Sequence, residues 1–408
     1  MLTRREVLAA PLVAAAGARP PNVLVFMSDQ ESALLPGPAN LPNRRRIEQG
    51  GARFTHAFCT TPQCSAARSS LLTGLAPHRT GVITNVDGGS LGKPLPPALA
   101  TIGSVFRKAG YSTGYFGKWH LGNDRDGLSA FGFDHTGSNK GDERIAAEAA
   151  AWMREQKGPW LAWVSVLNPH HIYSLEDVPI REGVRPPASD LRNLAGKPRE
   201  QMEYVEKDQG KATRNYTPED WRRYRSYYLG LVEKVDAQLG TVLDAAGDLN
   251  GAVAVYTSDH GDALGEHGLP FKGPFMYDEE IRIPLVMRAP GRLEGGVRDE
   301  LISQVEFAPM IASLAGLAWP GARRGQLRDA VFVEYYAKQK WVNPIRAMRT
   351  REWKLNLYDR GARELYDMTR DPHELTNLAG NAKLRDIENK LAVRLDEWRG
   401  PMLEANRP

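Results

Sequence analysis

Apolar positions along this chain follow two rhythms. Short continuous runs rich in β-branched and aromatic residues alternate with longer stretches in which apolar residues return every three or four positions. The runs are Val23–Met27, the strand within GYSTGYFGKWHLG, WLAWVSVLNPHH from Trp160, and GAVAVYTS from Gly251. Runs this short and this continuous read as strands buried on both faces. The helical rhythm covers Ser70–Leu75, Leu99–Lys108, Ile145–Glu155 and the long stretch Trp221–Leu243. Strand and helix taking turns predicts an α/β fold, a mostly parallel central sheet sandwiched by helices.

Two regions break the rhythm. Residues 173–220 are rich in charge, proline and glycine and carry little periodicity, so they read as an excursion that shapes a substrate site. Near residue 325 the texture changes again. VFVEYY, IRAMRTREWKLNLYD and ARELYDM alternate as antiparallel strands do, and DPHELTNLA is read as the start of a terminal helix. The expected division is an export signal over 1–18, a catalytic α/β domain over 19–325, and a small C-terminal subdomain of antiparallel sheet plus helix over 326–408. No internal repeat or low-complexity tract is evident.

Composition narrows the partners. A net charge of +4 spread over 408 residues is too small for a nucleic-acid binder and mildly favours anionic substrates. Arg44-Arg45-Arg46 reads as a solvated helix face. The N-terminus MLTRREVLAAPLVAAAGA sets Arg4-Arg5 before a short apolar run and then Ala16-Gly17-Ala18. That is the layout of an export signal of the twin-arginine type, and predicts a periplasmic or extracellular protein. No later segment reaches about 18 uninterrupted apolar residues, so no membrane span is expected. The two cysteines, Cys59 and Cys64, can close a small disulfide loop, but two cysteines are a poor staple for a core of this size.

Every predicted strand ends on polar residues, the edge where open α/β sheets bind ligands. Asp29-Gln30, Lys118 with His120, His170-His171 and Asp259-His260 lie there, and Lys272 and the Cys64–Arg68 turn join them. Singly, each has an ordinary reading as a helix cap or a packed histidine. Together, carboxylates, an imidazole and a side-chain amide suit a divalent cation. Lysines, an arginine and further histidines suit an oxyanion, and so transfer or hydrolysis of a tetrahedral sulfate or phosphate ester.

At these residues the chain resembles a known family, the type I formylglycine-dependent sulfatases of the alkaline phosphatase superfamily, and looks arylsulfatase-like. CSAAR at Cys64–Arg68 resembles the family's maturation motif, with SSLLTG after it. GYSTGYFGKWH resembles its second signature, PNVLVFMSDQ and TSDHGDALGEHG its two metal-binding strands, and RELYDMTRDPHELTNLA its usual C-terminal end. The likeness runs from about Pro21 to Ala379, with independent motifs in order.

The resemblance implies an alkaline-phosphatase-like fold and an enzyme that hydrolyses sulfate esters, of sulfated carbohydrate or of small aryl or alkyl alcohols. It implies that a formylglycine-generating enzyme oxidises Cys64 to an aldehyde that hydrates to a geminal diol. One hydroxyl then attacks sulfur, the alcohol leaves, and the second expels sulfate and restores the aldehyde. The start of a helix there is expected to offer free N–H groups to the sulfate. By the same likeness Asp29, Gln30, Asp259 and His260 hold one divalent metal with residue 64. Arg68 orients the diol and offsets its charge, and Lys118 and Lys272 bind sulfate oxygens. His120 is the base for the elimination step, and His170 the acid toward the leaving oxygen, a role it can share with Lys272.

Departures follow. Many members have aspartate in place of Gln30 and asparagine in place of His260; calcium is still expected first, but the neutral amide and imidazole weaken that preference and admit magnesium or manganese. Asp-Gln with Asp-His is also what choline-sulfatase-like and phosphonate-monoester-hydrolase-like relatives show. Ala66 replaces the commoner proline of the maturation motif. Two other readings stand beside the first: a phosphodiester or phosphonate monoester hydrolase on the same scaffold, and a non-catalytic binding protein that keeps the fold.

Overall fold

The computed structural model describes residues 20–87, 89–124, 127–321, 329–338 and 341–399. The expected export signal lies outside them. Eight strands form the main sheet: β1 (Asn22–Asp29), β2 (Ala52–Phe58), β3 (Ser112–Gly117), β4 (His135–Thr136), β5 (Trp160–Pro169), β6 (Ala252–Ser258), β7 (Arg282–Arg288) and β8 (Gly296–Ser303). Their order is β4-β3-β5-β1-β6-β7-β2-β8, and β7 alone runs against its neighbours. The sheet is therefore mostly parallel, as the alternating pattern predicts.

The eight helices that matter here are α1 (Pro42–Glu48), α2 (Cys64–Thr73), α3 (Ile102–Lys108), α4 (Asp142–Glu155), α5 (Arg199–Lys207), α6 (Pro218–Ala246), α7 (Phe307–Leu314) and α8 (Arg385–Arg399). Side chains of β1 show how the layers form. Val23, Val25 and Met27 enter one core with α2, α3 and α7, while Leu24 and Phe26 enter the other with α4 and α6. This period of two places helices on both faces of one sheet. α6 begins on a capping box in which Thr217 and Asp220 exchange hydrogen bonds, with Pro218 in the first turn.

A second sheet, β12-β11-β10-β9, is wholly antiparallel: β9 (Ala330–Lys338), β10 (Trp341–Thr350), β11 (Trp353–Tyr358) and β12 (Arg363–Asp367). Val331, Val333, Ile345 and Ala347 continue the first core, so this sheet is not a separate bead. Its other side meets Leu391 and Leu395 of α8. DPHELTNLA is not the start of that helix. Asp371 instead accepts from the Leu375 and Thr376 N–H groups and holds a turn, and α8 begins at Arg385.

Three further expectations are refined. Both cysteines are free. The arginine triplet lies on α1, but Arg44 is buried against Glu31 at 2.6 Å and only its neighbours face outward. The excursion is partly loop, with turns at Leu191–Gly196 and Gln209–Ala212 around α5.

Candidate active site

Parallel strands bring their carboxyl ends to one edge, and the predicted residues meet there. β1 delivers Asp29 at an irregularity in its pairing with β5, a device that re-aims a side chain. Gln30 follows with φ of 71°, sparsely populated for a residue with a side chain. β3 ends on Gly117, also at positive φ, where an added Cβ would sit 1.8 Å from the Ser165 carbonyl oxygen. Only glycine permits that approach, and it sets Lys118 at the edge. β6 ends before Asp259 and His260.

Cys64 opens α2 and is 1% exposed. Its Sγ lies 2.8 Å from Lys272 Nζ, 3.3 Å from His260 Nε2, 3.5 Å from Lys118 Nζ and 3.8 Å from Asp29 Oδ1. Burial pushes the thiol up, but Lys118, Lys272, His260 and a hydrogen bond from His120 outweigh it and hold it well below its ordinary value. Lys272 is correspondingly raised, because Cys64, Asp29 and Asp259 overcome its own burial. Burial and Cys64 likewise push Asp29 up, yet Lys118, His170 and Arg68 keep it well below the usual carboxylate range.

Arg68 lies one turn along α2 and is buried. Its Nε donates to Asp259 Oδ2 and its Nη2 to Asp29 Oδ2, both at 2.9 Å, and its Nη1 donates to the Lys118 carbonyl and to Ser165 Oγ. Guanidinium thus ties both carboxylates to two strand ends. Its donors are largely used, which leaves it little capacity to hold anything else.

The carboxylate, imidazole and amide groups fit a cation. One ligand atom each from Asp29, Cys64, Asp259 and His260 lies within 4.8 Å of all the others. His260 Nδ1 faces the Gly261 carbonyl at 2.9 Å and is the donor there, which turns Nε2 to the centre, 2.9 Å from Lys272 Nζ and 3.3 Å from Cys64 Sγ. Gln30 Nε2 donates to Asp262 Oδ2 at 2.8 Å, which fixes the amide's orientation. Its Oε1 is then buried with no hydrogen-bond partner among the described residues, an acceptor that lacks a positive group.

The other predicted residues lie around this centre. His120, at φ 58°, has Nε2 3.5 Å from Asp87 Oδ1, and its ring lies close enough to Cys64 to act on the thiol. His170 is near Asp29 and Cys64, and burial lowers its pKa against the pull of Asp29. His171 is exposed, so the histidine directly after Pro169 is the one in the site. One expectation changes. The Ser65 N–H donates to Asn85 Oδ1 at 3.1 Å and is not free for a ligand.

Sequence reasoning missed several supports. Ser165 interrupts the apolar run WLAWVSVL, a signal that was legible. Asp262, held by Gln30, Tyr224 and Leu264 and pushed up to about 6 by burial, stands in the quoted motif. Gln304, which donates to the Asp259 carbonyl, and Tyr173, stacked on Phe271 at 4.1 Å, carry no local signal.

Comparisons with known proteins agree with this geometry. The Sulfatase family model matches residues 21–317, and the model described as N-sulphoglucosamine sulphohydrolase, C-terminal, matches residues 265–400. A choline-sulfatase of Rhizobium meliloti is 27% identical over 439 residues, covering 89% of this chain and 83% of its own. A delta 4,5-hexuronate-2-O-sulfatase of Bacteroides thetaiotaomicron is 26% identical, covering 86% and 82%. A solved 2-O GAG sulfatase shares the fold with a TM-score of 0.81 at 23% identity, over 93% of this chain and 92% of its own. A phosphonate monoester hydrolase of Agrobacterium radiobacter does so with a TM-score of 0.78 at 22% identity, over 93% and 95%. With one family model spanning most of its length, the chain belongs to the type I sulfatases of the alkaline phosphatase superfamily and is a sulfuric ester hydrolase.

Proposed function

We propose that this protein hydrolyses sulfate esters with a formylglycine made from Cys64 and a divalent cation held by Asp29, Gln30, Asp259 and His260. The observation that carries the reading is the packing of two lysines, a histidine and a carboxylate within 3.8 Å of one buried sulfur at a helix start. The cation, calcium first and magnesium or manganese by the neutral Gln30 and His260, supplies a Lewis acid to a sulfate oxygen. Formylglycine, hydrated, supplies one hydroxyl as nucleophile and a second for the release of sulfate.

The chain's own residues do the remaining work. Lys118 and Lys272 hold anionic oxygens of the sulfate, where negative charge is best offset. Arg68 holds the Asp29 and Asp259 carboxylates in place and offsets charge at residue 64. His120, whose ring acts on residue 64, takes a proton from it. His170 gives a proton to the leaving alcohol oxygen, since the arriving sulfate favours its protonation against the effect of burial. Lys272, beside residue 64, is placed to share that step.

We further propose the division at about residue 325, with residues 1–18 as a twin-arginine export signal to the periplasm or exterior. Among the described residues no helix is long and apolar enough to cross a membrane. The partner required is a formylglycine-generating enzyme.

The test is the mass of the tryptic peptide Phe54–Arg68 from turnover-competent protein, with Cys59 as internal control. Expected is a peptide in which residue 64 has lost its sulfur while Cys59 still alkylates. Two alkylated cysteines in active protein end the formylglycine reading. The phosphonate monoester hydrolase reading, favoured by that neighbour and by the Asp-Gln and Asp-His pairs, is separated by parallel kinetics on aryl sulfate, phosphate diester and phosphonate monoester.

A further inference from the structure

A charged pair at the rim of the site has no part in the chemistry above. Lys338 ends β9, and the carbonyl just before it, Ala337, accepts from Gln63 Nε2 at 2.7 Å and Thr84 Oγ1 at 2.8 Å. Gln63 directly precedes Cys64, so the second sheet is pinned beside the start of α2. Lys338 Nζ reaches back to the excursion, donating to Asp208 Oδ2 and Gln209 Oε1, each at 2.7 Å. It stands 5.4 Å over the Tyr204 ring. The Tyr204 hydroxyl donates to the Pro270 carbonyl, two residues before Lys272. Lys272 is also among the charges that act on Lys338.

Both charged side chains stay partly open, 24% for Lys338 and 26% for Asp208. An ammonium has three N–H donors, and two are used. Asp208 Oδ1 has no hydrogen-bond partner among the described residues. One donor and one acceptor are therefore left side by side on a pair that is electrically neutral as a whole. A second anionic group gains nothing there, because Asp208 repels it as Lys338 attracts it. Adjacent hydroxyls, one accepting and one donating, complement the pair and spare it an imperfect desolvation.

We propose that Lys338, Asp208 and Gln209 form a subsite for neighbouring ring hydroxyls of a pyranose that carries the scissile sulfate. This rests on the sulfate-ester reading and deepens it to sulfated sugars. The competing role is purely mechanical, a tie between the second sheet and the excursion.

Matured wild type, Lys338→Met, Asp208→Asn and Lys338→Arg are compared on N-acetylglucosamine 6-sulfate, galactose 6-sulfate and 4-nitrophenyl sulfate. Expected is a tenfold or greater fall in the ratio of sugar-sulfate to aryl-sulfate kcat/KM for the first two variants. The change should lie in KM and be partly restored in Lys338→Arg. Equal losses on both substrate classes, an unchanged ratio, or a wild type that cleaves the aryl ester but neither sugar ester overturns the proposal. Saturation-transfer NMR with unsulfated N-acetylglucosamine and galactose gives a readout without turnover. If no ester is cleaved but wild type shows transfer that Lys338→Met loses, the subsite stands and the sulfate-ester reading fails. No transfer to wild type then overturns the subsite.

Discussion

Cys59 and Cys64 are five residues apart, both buried and both free, and they are electrostatic opposites. Cys59 packs in the main core with its S–H toward the Glu280 carbonyl, and burial pushes it well above its ordinary value. Cys64 is as buried but faces Lys118, Lys272 and His260, and is held well below. Burial alone therefore does not decide whether a thiol is inert. The charges converging on it do, and these come from two distant stretches of chain, one after β3 and one after β6.

The largest test of this contrast exchanges function for packing. Cys64→Ala should lower kcat/KM by more than about 1,000-fold, as removal of a nucleophile does. Cys59→Ala should keep turnover within about twofold and cost about 1 kcal/mol of stability through the cavity left behind. Steady-state kinetics and urea unfolding read both, and loss of turnover in Cys59→Ala alone would break the comparison.

A smaller effect sharpens it. Lys272→Met removes the cation 2.8 Å from Cys64 and should cost about 100-fold in kcat/KM, the scale of one lost oxyanion donor. In unconverted, chelated protein the same change should move the thiolate absorbance of residue 64 to higher pH. A titration curve that does not move assigns the thiolate to other groups.

The smallest effect is a pair of opposite slopes in stability, again in unconverted, chelated protein. Free cysteine titrates near about 8.5 in an unfolded chain. Cys64 is depressed in the fold, so its stabilisation is complete above that pH and is lost as pH falls toward the folded value. Cys59 is raised, so its stabilisation is complete below that pH and is lost as pH rises toward the folded value. The stability gap between wild type and Cys64→Ala should widen from about pH 6 to 8.5, and the gap for Cys59→Ala should shrink above about 8.5. Parallel slopes in urea unfolding refute the contrast.

Much of this was legible in the sequence because the main sheet writes its signal locally. Val23–Met27 and Ala252–Ser258 are buried on both faces, so apolar runs mark them, and polar residues mark the edge where they stop. Strand β2, the edge strand β8 and the reversed β7 were not read. Thr55 breaks the apolar continuity of β2 and Arg298 that of β8, and these two pair with partners hundreds of residues away, whereas the apolar run Ile283–Met287 of β7 was a legible signal. α2 starts at Cys64 rather than near Ser70, since CSAAR has no apolar rhythm to betray a helix. Gln304 and the Lys338–Asp208 pair were invisible for the same reason: their roles exist only once the chain is folded.

The burial of residues 64–68 also sets an order of events. All five are buried, and Cys64 is enclosed by side chains from residues 118, 260 and 272. An enzyme acting on Cys64, as proposed above, would have no access to it once these residues are folded. About 200 residues separate Cys64 from Lys272, so at ribosomal speeds of roughly 5–20 residues per second the enclosing wall is not synthesised for some 10–40 seconds. The proposed modification would thus have a window in time, opened by translation and closed by folding, and any change that hastens collapse around α2 would shorten it.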